Sequence, residues 1–158
     1  MSDEVAHTFR VPDLLQRLDA ATKCLLAALE GLPGDAWDLR LLPGLPTIRE
    51  LVDTAEWEAR QDLMELLTGV ALDMMGERNR DEPVQMLMDR LVATSTALMR
   101  FLEREFSDAP LLQEVYVLHP RPLAFYLTDT IAKVTSYADR IRLLRMAIDA
   151  SWGRGEAL

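Results

Sequence analysis

"LAFYLTDTIAKVTSYADRIRLLRMAI", residues 123 to 148, decides the fold. Leu123, Leu127, Thr130, Val134, Tyr137, Ile141, Leu144 and Ile148 recur four and three positions apart. That spacing is a heptad seam, the pattern of a long helix packed lengthwise against other helices. The seam predicts one helix over about 121–151. Two of its polar members, Thr130 and Tyr137, face a helical core, and Lys133 flanks the seam one turn before Tyr137. A buried threonine normally bonds the carbonyl of its own preceding turn. A tyrosine with a lysine four residues earlier has more options: it can receive an anion, have its phenol tuned, or join an ion pair with a carboxylate such as Glu58 or Asp129.

Working outward, three further segments carry helical periodicity. Leu14, Leu18, Ala21, Leu25 and Leu29 follow Pro12, which suits a first helical turn, and the run stops at "GLPGD" (31–35). This predicts a helix over about 12–31. Thr47 and Glu50 form an S/T-x-x-E capping box ahead of Leu51, Ala55, Ala59, Leu63 and Leu66, predicting a helix over about 47–68, with "VALDMM" as a possible extra turn. Glu56, Glu58, Asp62 and Glu65 on this segment read as a solvated face. After the polar "GERNRDEP" (76–83), Val84, Leu87, Leu91, Thr94, Leu98, Phe101 and Leu102 predict a helix over about 82–106. "LLQEVYVLHPRP" (111–122) is the least regular stretch, long enough for a short helix, a lid or a partner-binding segment. No alternating strand pattern is sustained. The expectation is an all-α four-helix bundle, one domain over 1–158, with long inter-helix connections.

Composition narrows function. The 158 residues carry a formal charge of −9, which repels phosphate backbones and disfavours nucleic acid. The Arg140, Arg142, Arg145 group reads as a solvated flank beside Asp139 and Asp149. The single cysteine, Cys24 in "KCLLAAL", reads as a buried structural thiol. "MSDEVAHTFRVP" lacks an apolar signal region, and no apolar run spans a bilayer, so a cytoplasmic protein without membrane contact is the expectation. His7 and His119 are the only histidines, and neither has a ligand-spaced partner. No Glu-x-x-His occurs, which excludes the carboxylate-bridged diiron bundle. Met74, Met75, Met86, Met88 and Met99 read mainly as core filler, and Trp37, Trp57 and Trp152 as core residues or interface anchors.

Three motifs together resemble the DinB/YfiT-like superfamily of four-helix bundles: "LPGDAW" (32–37), "TIREL" (47–51) and "KVTSYADRIRLLR" (133–145). Members of that family carry three metal-binding histidines, and the resemblance puts them on Thr54, Lys133 and Tyr137; a family glutamine falls on Arg140. None of the replacements is a good ligand for a divalent metal. The resemblance therefore implies the fold and a homodimer, but neither cofactor nor metal-dependent catalysis. The expected function is a metal-free, homodimeric interaction or structural protein. Two alternatives stand beside it: a small-molecule or anion-binding protein using Thr54, Lys133 and Tyr137, and a metal-independent, thiol-dependent transferase that would need a reactive Cys24.

Overall fold

A computed structural model describes residues 10–69, 81–117 and 119–153. His7, Met74, Met75 and the "VALDMM" extension lie outside the described residues, as does the side chain of Trp152. The chain is an all-α, four-helix arrangement. It runs α1 (Val11–Leu29), a 3-10 turn (Gly34–Asp38), α2 (Ile48–Thr68), α3 (Val84–Phe106), strands β1 (Glu114–Val117) and β2 (His119–Pro122), then α4 (Leu123–Gly153). Each helix begins or ends within two residues of the sequence expectation.

Local chemistry sets the helix ends. At the start of α2 the Glu50 N–H donates to Thr47 Oγ1 at 3.1 Å, and the Thr47 N–H donates to Glu50 Oε2 at 3.2 Å. This is the capping box read from the sequence. The helix closes on Gly69 at φ 70°, a left-handed conformation that costs glycine little. The end of α1 is held from a distance: Arg145 Nη1 of α4 donates to the carbonyls of Ala28 (3.0 Å) and Glu30 (2.6 Å). Arg145 is therefore not part of a solvated flank, because it satisfies orphan carbonyls at a helix C-terminus.

α1 packs most extensively on α4, and α2 on α3. Two apolar clusters fill the interior. One gathers Leu25, Trp37, Ile48, Leu91 and Ile141; the other gathers Leu14, Leu98, Val115, Leu123 and Tyr126. The seam of α4 supplies both, and Val134 touches both.

The irregular 111–122 stretch is a β-hairpin rather than a short helix or an open loop. β1 and β2 pair antiparallel, Val115 opposite Arg121 and Val117 opposite His119. Val115 and Val117 are buried and anchor the hairpin on the second cluster. A further correction concerns α2. Glu56, Asp62 and Glu65 are buried, not on a solvated face.

Candidate functional site

The described residues bring Thr54, Lys133 and Tyr137 together only in part. Thr54 and Tyr137, both half-buried, line one cleft of about 610 Å³. It lies between the start of α2, the 3-10 turn, Glu82 ahead of α3, and α4. Lys133 does not line this cleft. It is exposed on α4 and borders a separate cavity of about 40 Å³ among all four helices, shared with Glu58, Asp62, Ser95 and Thr130. Tyr137 borders both spaces. The cleft has the size of a small-molecule site, whereas the inner cavity has room for little more than water.

Of the options open to Lys133, the ion pair with Glu58 or Asp129 is not the one taken: Lys133 makes no ion pair among the described residues, and Asp129 is held by Arg121 Nη1 at 3.1 Å. The long aliphatic stem lets its ammonium stay in water, which avoids the desolvation cost of a buried charge.

The cleft is rich in ions, and most are engaged. Arg49 grips Asp38 with two nitrogens, Nε to Oδ1 at 2.5 Å and Nη2 to Oδ2 at 3.1 Å. The same arginine donates through Nη1 to the Glu82 carbonyl. Its hydrogen bond to Asp38 raises the Arg49 pKa above its ordinary value. Arg40 bonds Glu50 and the Leu45 carbonyl. Behind this wall Arg90 collects Asp53 (3.3 Å), Glu56 (3.2 Å) and Glu82 (2.7 Å). Arg140 differs. It is exposed, borders the cleft one turn beyond Tyr137, and has no ion pair or hydrogen bond among the described residues. Its neighbour Asp139 pairs with Arg142 instead, at 3.3 Å.

A second polar cluster sits deeper. The Tyr126 hydroxyl donates to Asp62 Oδ2 at 3.2 Å, both residues being buried. Burial pushes the Asp62 carboxyl up to about 6; the nearby Lys133 charge and the Tyr126 hydrogen bond oppose the rise, and Glu65 adds to it. Burial and the Asp62 charge push the Tyr126 phenol well above its usual value, so it stays a donor.

Metal chemistry does not fit Thr54, Lys133 and Tyr137. An exposed ammonium and two hydroxyl groups divided between two spaces are not a ligand set for a divalent cation. Among the described residues no group of three or more His, Cys, Asp or Glu could hold a metal ion. His119 is exposed on β2. Cys24 is exposed rather than buried, and it borders neither cavity.

The fold defines the class as an all-α four-helix protein with a polar inter-helix cleft. Comparison with known proteins finds no matching family model, no similar curated protein and no similar solved structure. No described helix is long and apolar enough to cross a membrane.

Sequence reasoning named Thr54 and Tyr137 and missed the cleft's other walls. Arg49 and Asp53 reach it from the first turns of α2 and Glu82 from the segment ahead of α3, and only the capping box hinted that the start of α2 was a structured junction.

Proposed function

We propose that the protein is a metal-free DinB-like bundle that binds a small polar molecule in the cleft bordered by Thr54 and Tyr137. The observation that carries this reading is the 610 Å³ space at two of the three positions where the resemblance puts metal ligands. A purely structural bundle has no use for such an opening and gains packing by filling it. Thr54 and Tyr137 give the cleft polar lining beside its charged residues, and Leu51 and Leu87 offer apolar contact.

Ligand-observed NMR against a library of small polar molecules tests it. Thr54→Phe places a bulky ring at the cleft and should abolish binding while circular dichroism stays native. Hits that bind this variant as well as the wild type, or an absence of hits, would refute the reading.

The dimer implied by the resemblance is a second proposal, supported by Phe125, Leu143 and Met146, each more than 60% exposed on α4. Sedimentation at micromolar concentration showing only a 17.9 kDa species would exclude it.

A further inference from the structure

We infer that the cleft takes a small monocarboxylate carrying hydrogen-bond donors, and that Arg140 receives the carboxylate. The inference rests on the small-molecule reading above and names the ligand's chemistry.

The guanidinium groups in and behind the cleft walls divide into committed and uncommitted ones. Arg49 is committed to Asp38 and to the Glu82 carbonyl, Arg40 to Glu50, and Arg90 to Asp53, Glu56 and Glu82. These arginines hold the walls together. Arg140 holds nothing among the described residues, although the chain carries nine more negative than positive charges and Asp139 is adjacent in sequence. Asp139 is already bonded to Arg142. A guanidinium is a planar fork of donors matched to two-oxygen acceptors. One turn beyond Tyr137 on α4 and at the same cleft, it offers an oxyanion a charged donor.

The rest of the lining narrows the anion. Asp38, Glu50, Asp53 and Glu82 all border the cleft. Against the lining arginines Arg40, Arg49 and Arg140 these four carboxylates leave one net negative charge, so a monoanion is favoured over a phosphate dianion. Carboxylate oxygens have several lone pairs each, and those of the exposed Asp38 are not exhausted by its bonds to Arg49. They therefore favour hydroxyl or amine donors on the remainder of the ligand over bare methyl groups. Arg140 thus takes the role that the anion-binding alternative gave to Lys133.

Calorimetric titration of the full chain tests this with four probes: glycerate, propionate, glycerol and glycerol phosphate. Glycerate should bind at least tenfold tighter than propionate, glycerol should give no heat, and glycerol phosphate should bind more weakly than glycerate. Arg140→Gln should weaken glycerate at least tenfold with an unchanged thermal melt, since Arg140 is exposed. Equal affinity of Arg140→Gln and wild type overturns the inference, and so does tighter binding of glycerol phosphate or equal binding of propionate. If none of the four binds while neutral molecules bind in the NMR screen and lose binding in Thr54→Phe, the anion assignment alone fails. If the screen is also empty, both readings fail.

Discussion

Glu56 and Asp62 lie on the same helix, less than two turns apart, and both are out of water, at 0% and 8% exposure. Their surroundings differ in kind. Glu56 accepts a hydrogen bond from Thr94 Oγ1 at 3.0 Å and lies 3.2 Å from Arg90 Nε and 3.4 Å from Arg60 Nη2. Asp62 has a neutral phenol at 3.2 Å and no cation in direct contact among the described residues, and its carboxyl is pushed up to about 6. A buried carboxylate is costly unless a cation answers it: Glu56 has two guanidinium groups within 3.4 Å, and Asp62 has none in direct contact among the described residues. The cleft end of the bundle is thus built from charges that answer one another, whereas the hairpin end holds a carboxylate tuned toward its neutral form.

The largest expected effect comes from breaking the first region. Arg90→Met leaves Asp53, Glu56 and Glu82 without their shared cation. The expected loss is about 3 kcal/mol, at the low end for a broken buried pair because Arg90 is itself about one-third exposed. Urea unfolding at pH 7 measures it; a loss below about 1 kcal/mol would show that the network does not hold α2 to α3.

The second region should respond in the opposite direction. The folded Asp62 pKa is raised from 3.8 to about 6, so the folded state binds this proton more tightly than the unfolded state. The associated stability is fully present below about pH 4 and is lost as pH rises through about 6. Asp62→Asn keeps an acceptor for Tyr126 and removes the charge. It should gain about 2 kcal/mol at pH 8, shrinking towards nothing near pH 4. Melting curves across that range check it, and a variant less stable than wild type at pH 8 would reverse the assignment.

A guanidinium bound to neutral acceptors sharpens the contrast. Arg145→Met removes the donor to the Ala28 and Glu30 carbonyls, at an expected cost of about 1–2 kcal/mol. Hydrogen exchange should show the last turn of α1 opening first. Lys133→Met should have the smallest effect on stability, under about 0.5 kcal/mol, because the side chain is exposed. It should nevertheless move the Asp62 titration upward, since the Lys133 charge lowers that pKa. A carboxyl-detected NMR titration with an unmoved midpoint would remove Lys133 from the cluster.

What the sequence made legible follows the range of the interactions. The α4 seam and the Thr47–Glu50 box are patterns within one helix, and both appear as read. The charges of α2 were misread because the reason for burying Glu56 is Arg90, which arrives from another helix. The hairpin was hidden because β1 has only four residues and β2 reads His-Pro-Arg-Pro, whose prolines lack the N–H that strand patterns presume. Its stability comes from Val115 and Val117 on the core. At the site, spacing along α4 placed Lys133 and Tyr137 one turn apart, but helical spacing does not say which residue borders a cleft formed by three other segments. Arg140 was visible only as one member of a basic group and as the position where the resemblance puts a glutamine.

The central claim is that binding occurs at the cleft and not at the Asp62 cavity. Backbone NMR of the full chain titrated with glycerate tests it most directly. The account predicts saturable shifts at Thr54, Tyr137 and Arg140, absent in Arg140→Gln, with Asp62, Ser95 and Lys133 unmoved. Saturable shifts centred on Asp62, Ser95 and Lys133, with the cleft residues silent, would contradict it.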